Sequence, residues 1–163
     1  MPNAVISEYL DIVLAGFHDG TGYTGTTMEE NTKAMVAAIK NPHVHIITHP
    51  GNPKFPVDLE TVVRAAKDCN KALELNNSSF KVRPGSFPVC SQIAKLAKKY
   101  NILVSINSDA HICYNVGENA KAVALASKEG IRKNQIINSS SSEISEYLNW
   151  HKQQSKLVYK KAQ

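Results

Sequence analysis

Apolar positions along the chain take two alternating forms: short unbroken runs, and longer stretches where they recur every three or four residues. The first run, residues 11–17, ends in His18-Asp19-Gly20 and predicts a strand followed by a small glycine-rich loop at 21–25. Thr27-Met28-Glu29-Glu30 has capping-box spacing, and the helix it opens buries Ala34, Met35, Ala38 and Ile39 before Asn41-Pro42 stops it. Residues 43–49 are the second strand, closed by Pro50-Gly51-Asn52-Pro53. Asp58 then caps a helix through Leu59, Val62, Val63 and Ala66. A third strand, 71–76, runs into the polar loop Asn77-Ser78-Ser79. A helix over 88–99 follows, burying Val89, Ile93, Leu96 and Ala97. Next come a strand at 102–107 and a helix at 118–128 that Gly130 ends. Residues 136–138 predict a fifth strand, and a last helix carries Ile144, Tyr147, Leu148 and Trp150. The polar segment 152–163 is expected to fray as a basic tail.

Strand and helix alternate throughout with a period of roughly 30 residues, the pattern of parallel βα units. The fold class is α/β. His18, His49, Asn76, Asp109 and Asn138 fall at the ends of successive strands, which in a β/α barrel form the rim where active sites are built. Five units are too few to close the usual barrel, so residues 1–151 read as a partial, TIM-like barrel.

At 163 residues the chain is long enough for one domain with a hydrophobic core. No apolar run approaches the roughly 20 residues of a membrane span, and Met1–Glu8 lacks the layout of a signal peptide. A cytoplasmic protein without a membrane partner is therefore expected. The three cysteines, Cys69, Cys90 and Cys113, are widely spaced and read as reduced thiols. Cys113 lies just past Asp109-Ala110-His111 and is expected to be a small buried side chain, the alternative being a place near a metal. The net charge of +5 lies largely in Lys95, Lys98, Lys99, Lys152, Lys156, Lys160 and Lys161, a solvated face that mildly favours anionic substrates. No Arg-rich run or aromatic-interleaved basic strip argues for nucleic acid.

The candidate chemistry sits at the strand ends. Asp109 and His111, two residues apart on an extended segment, share a side at about 6–7 Å. With His18 and His49 they make a donor set suited to zinc, manganese or iron, although each also suits an ordinary polar residue at a strand end. His43 and His45 lie earlier on the strand that ends in His49, about 13 Å from it in the case of His45, and are read as structural. Glu74 falls inside a strand, as a buried paired carboxylate or an interior-facing acid. No Walker loop and no Gly-x-Ser-x-Gly elbow is present.

Four of these segments, Leu14-Ala15-Gly16-Phe17-His18, Ile47-Thr48-His49-Pro50-Gly51-Asn52-Pro53, Leu73-Glu74-Leu75-Asn76-Asn77-Ser78-Ser79-Phe80 and Asn107-Ser108-Asp109-Ala110-His111, resemble the PHP (polymerase and histidinol phosphatase) superfamily in that order. The likeness covers roughly residues 9–150 and is strongest to its stand-alone bacterial phosphatases. It implies a distorted seven-stranded barrel that hydrolyses small phosphate esters by metal-activated water, with up to three zinc, manganese or iron ions in a complete site. By position it implies that His18 and His49 ligate one metal, Asp109 a second and His111 a third, with Asp109 and His111 also catalytic. Asn77 and Arg83 are implied as holding the substrate phosphate, a solvent-facing Arg83 being the alternative.

The His-x-His strand, further histidines and bridging glutamate with which that family begins have no counterpart here. The chain therefore reads as the C-terminal part of such an enzyme, a truncated or split copy completed by a complementary N-terminal chain or by a homo-oligomer. Alternatively, it is a non-catalytic remnant or a partner-binding half-barrel. The PHP domain of a DNA polymerase is the third reading, and the absence of nucleic-acid signatures weighs against it.

Overall fold

Strands and helices alternate as the apolar pattern predicts, in a computed structural model that describes residues 9–161, with side chains to Gln154. Residues 1–8 and the side chains of Lys156, Lys160 and Lys161 lie outside the described residues. The strands are β1 (Leu14–Ala15), β2 (Ile46–Ile47), β3 (Ala72–Asn76) and β4 (Val104–Asn107). The helices are α1 (Met28–Lys40), α2 (Leu59–Asp68), α3 (Ser79–Val82), α4 (Ser86–Tyr100), α5 (Ala120–Lys128) and α6 (Ser141–Lys161).

The helices begin where the capping chemistry sets them. Thr27 Oγ1 accepts from Glu30 N while Glu30 bonds back to Thr27 N, which closes the box at the start of α1. Asp58 accepts from Glu60 N and Thr61 N at the start of α2, and all four apolar positions expected of that helix are buried. Ser140 accepts from Glu143 N at the start of α6. That helix continues to Lys161, so the backbone of the expected fraying tail is helical as far as that residue. After the expected polar loop at 77–79 the chain makes a helical turn over Ser79–Val82, and Asn76 Oδ1 accepts from Ser79 N at its start.

All strand pairs are parallel and the sheet order follows the chain, β1-β2-β3-β4. Crossovers that always step the same way along a parallel sheet and share one hand, as the right-handed rule expects, lay their helices on one face. There Ile39, Val62, Val63, Leu73, Leu75, Ile93, Ala97, Val104 and Leu125 form the main core. The opposite face changes character along its length. At the start of the strands Ile46, Ala72 and Ile137 are buried with Tyr147 of α6, and Ile12, Leu103, Ile144 and Leu148 pack around them. Two and four residues further on, the same face carries Glu74 and Asn76 on β3 and, paired beside them, Ser105 and Asn107 on β4. These four polar side chains line a cavity there together with Ile12, Leu14, Ile46 and Ile144.

Every expected strand is shorter than its apolar run, and the strands at 11–17, 43–49 and 136–138 markedly so, for identifiable reasons. Before β1, Val13 N donates to the imidazole Nδ1 of His45 at 3.0 Å, so a side chain takes a rung of the ladder. That shortens β1 and β2 together. The expected strand 136–138 makes one bridge, Val104↔Ile136. Beyond it the carboxamide of Asn138 replaces the backbone, accepting from Ile106 N at 3.0 Å and donating to Ile106 O at 2.7 Å.

Candidate functional site

His18, His49 and Asp109 meet at the C-terminal ends of the strands, around a cavity of about 390 Å³ that Glu74, Asn107 and Ile144 also line. His18 is set by the end of β1. Phe17 beside it stacks on Tyr23 and Phe55, with ring centroids 4.7 and 5.1 Å away. Gly16 makes the approach of β1 to β2 possible here, since a Cβ at that position would lie 2.1 Å from Thr48 Oγ1. The rings of His18 and His49 then stand edge to face with centroids 4.7 Å apart.

His49 is buried and left-handed, at φ +31°. Its backbone N–H donates to Glu74 Oε2 at 2.6 Å, while its ring Nε2 is buried without a hydrogen-bond partner. Burial, followed by the nearby Arg83 and His18 charges, lowers its pKa to about 4, so the ring is neutral at physiological pH. A neutral imidazole with an unpartnered nitrogen is the form that ligates metals.

Asp109 also lies in the left-handed region, at φ +55°. This bend breaks the extended geometry under which Asp109 and His111 share a side. Asp109 lines the cavity, whereas His111 is exposed, with Nδ1 3.0 Å from the Asp109 carbonyl. Arg83 is not solvent-facing. Its side chain is 19% exposed, and Nη1 donates to Ser79 Oγ at 2.8 Å and Asp109 Oδ2 at 3.4 Å. Asn77 Oδ1 accepts from Ala122 N in the first turn of α5, satisfying one of that helix's orphan donors. Cys113, expected to be buried, is exposed in a helical turn over Cys113–Asn115. The main chain turns outward after Asp109 and carries Cys113 with it.

Among the described residues no group of three or more His, Cys, Asp or Glu side chains is placed to hold a metal ion. His18 and His49 lie side by side at the cavity, their ring centroids 4.7 Å apart. Asp109 faces the same cavity but is engaged by Arg83, and His111 stands apart.

Sequence reasoning placed Asn76 and Asn138 at strand ends but missed the polar set behind the histidines. Glu74 Oε1 accepts from Asn107 Nδ2 at 2.8 Å and Oε2 from Asn76 Nδ2 at 3.2 Å. Asn138 Nδ2 in turn donates to Asn107 Oδ1 at 3.1 Å. The available signal was the alternation Glu74/Asn76 and Ser105/Asn107, polar positions two apart on strands otherwise apolar.

No protein-family model matches the chain. It is similar to a probable phosphatase of Caldanaerobacter subterraneus subsp. tengcongensis, 42% identical over 149 residues, covering 91% of this chain and 58% of that protein. A probable phosphatase of Thermoanaerobacter sp. is likewise 42% identical over 149 residues, covering 91% of this chain and 60% of its own length. One of Syntrophotalea carbinolica is 46% identical over 132 residues, covering 80% and 55%. The chain thus spans between 55% and 60% of the length of these curated relatives.

Proposed function

We propose that this chain carries part of the active site of a metal-dependent phosphatase of the PHP type, acting on small phosphate esters, with its sheet forming part of a distorted β/α barrel. The observation that carries the reading is the neutral, buried His49, whose unpartnered Nε2 stands beside His18 at the strand-end cavity. The sequential order of the parallel strands supports a barrel wall, and the names of the relatives support phosphoester chemistry.

In this reading His18 and His49 hold one zinc, manganese or iron ion, which supplies Lewis acidity toward a phosphoryl oxygen. Two imidazoles are fewer than the three protein ligands typical of a catalytic zinc site. The remaining donors come from a complementary chain, a second copy or further sequence of the kind the longer relatives possess. Burial keeps His49 deprotonated, so its lone pair is available without a competing proton. Arg83, which donates to Ser79 and Asp109 through Nη1, is in this reading the guanidinium that holds the substrate phosphate.

The competing reading is a non-catalytic, partner-binding half-barrel. It is favoured by the Arg83–Asp109 pair, which occupies the carboxylate expected to serve a metal. Zinc titration together with hydrolysis of p-nitrophenyl phosphate tests the two. The proposal expects zinc binding that His49→Ala abolishes, and zinc- or manganese-dependent turnover lost with it. Equal zinc uptake by both proteins, or zinc binding without turnover once the remaining donors are supplied by a longer relative's N-terminal segment, overturns it. Cleavage of single-stranded DNA in preference to the small ester points to a nuclease instead.

A further inference from the structure

One hydrogen-bonded chain joins the two sides of the cavity, and its direction is fixed at both ends. A carboxylate only accepts and a guanidinium only donates. Glu74 is 4% exposed, and its carboxylate accepts from three groups: His49 N at 2.6 Å, Asn76 Nδ2 at 3.2 Å and Asn107 Nδ2 at 2.8 Å. With its amide nitrogen turned to Glu74, Asn76 presents Oδ1 to Ser79, accepting from Ser79 N at 2.7 Å and Ser79 Oγ at 3.0 Å. The Ser79 hydroxyl proton is thereby committed to Asn76, and its oxygen is left to accept from Arg83 Nη1 at 2.8 Å. Arg83 closes the path on Asp109. Every link has one donor and one acceptor, and no alternative amide orientation satisfies them all.

We infer that Glu74 is the positioning residue of this site, holding His49 in its left-handed conformation and, through Asn76, Ser79 and Arg83, fixing Asp109 across the cavity. The inference rests on the reading of His49 and Asp109 as site residues and goes beyond it, because nothing about a metal or a substrate assigns Glu74 a part. A backbone at positive φ on a non-glycine residue costs energy and persists only where its surroundings determine it. The His49 main-chain N–H donates to this buried carboxylate. The hydrogen bond of Glu74 to His49 is to its backbone N–H and not to its ring. It acts on His49 through the backbone and on Asp109 through three intervening side chains.

Replacing one carboxylate oxygen by an amide breaks the pattern without changing its shape. In Glu74→Gln the new NH₂ must face either His49 N and Asn76 Nδ2 or Asn107 Nδ2, all of them donors. The test is the amide spectrum of the isotope-labelled full chain, read without metal or substrate. Glu74→Gln is expected to move the His49 amide proton upfield and to speed its exchange with solvent by about ten- to a hundredfold. The Ser79 and Asp109 amides and the Arg83 side-chain signals are expected to move, while those of α1 and α2 stay in place. Asn76→Ala is the second variant, since it leaves Glu74 on His49 but severs the link to Ser79. It is expected to move the Arg83 and Asp109 signals while the His49 amide, still bonded to Glu74 Oε2, keeps its slow exchange with solvent. An unmoved His49 amide in Glu74→Gln, changes spread evenly over the helices, or unmoved Asp109 signals in Asn76→Ala overturn the inference. Absence of phosphatase activity in the parent chain would count against the phosphatase reading and leave these spectra to decide the role of Glu74 by themselves.

Discussion

Lowering the pH from 7 to 5 should destabilise this protein well before its carboxylates titrate, and one substitution on α6 should remove a definable share of the loss. His151 of α6 lies over the start of β3, with Nδ1 3.4 Å from Lys71 Nζ, Nε2 3.0 Å from Asn70 O, and its ring centroid 5.2 Å from that of His45. Burial, then the Lys71 charge, lowers the pKa of both rings from 6.5 to about 4. Lys71 itself is pushed down to about 8 by burial. Each ring therefore takes up its proton more readily unfolded than folded. The unfolded chain binds more protons between those two values, so stability falls as pH falls through that window. For one ring the loss between pH 7 and pH 5 is about 2 kcal/mol. His49, also lowered to about 4, adds a similar amount that is common to parent and variant. The assay is urea unfolding at intervals of half a pH unit, kept at pH 5 and above so that ordinary carboxylates stay ionised. His151→Phe keeps a ring among His45, Tyr147 and Trp150 and should lose about 2 kcal/mol less than the parent over that range. The comparison uses the slope, because losing the bond to Asn70 O shifts the whole curve. A parent curve flat from pH 7 to 5, or equal slopes in parent and variant, would refute the reasoning.

Other expectations follow from particular contacts. Tyr147→Phe removes a hydroxyl that donates to His45 O at 2.6 Å and accepts from Ala72 N at 3.1 Å; those two backbone groups still meet each other at 3.3 Å. The cost should therefore be modest, about 1–2 kcal/mol by chemical denaturation, and a loss above about 4 kcal/mol would mean that α6 detaches outright. Gly16→Ala drives a Cβ onto Thr48 Oγ1, so it should destabilise the chain and disturb the His49 ring signals. Thr48→Ala in the same chain should recover part of the loss, a coupling that a double-mutant cycle measures. Thr27→Ala opens the capping box of α1 and should cost about 1 kcal/mol, read as a melting temperature lower by about 2–4 °C.

What the sequence made legible was whatever depends on near neighbours. Thr27 with Glu30, and Asp58 with Glu60, announce helix starts because a cap and its partners lie within one turn. The apolar stripe of α2 is buried as its spacing requires. Strand limits were read too long because the groups that end them are remote: the His45 ring that takes the Val13 N–H comes from 32 positions away, and so does the Asn138 carboxamide that serves Ile106. The site divides the same way. His18, His49 and Asp109 were recognisable as strand-end residues, but the reach of His111 depended on the φ of Asp109, which no spacing rule supplies. Glu74 was visible as an acid within a strand. Its three donors come from β3, β4 and the residue following Thr48, and only the register of the sheet brings them to one carboxylate.

The latch between Tyr147 and His45 also bears on the order of assembly during synthesis. It spans 102 positions, whereas β1 and β2 pair residues 32 apart. As the polypeptide leaves the ribosome, each βα unit has its partner strand close behind it, so the helix layer and main core can form progressively. The second face of the sheet has no such neighbour. Ile46 and Ala72 lack the cover of Ile144, Tyr147 and Leu148 until α6 has been translated and can fold back over them. A nascent chain stalled before Ser141 would thus hold a finished sheet with one apolar side open to water, a surface suited to capture by chaperones and prone to self-association.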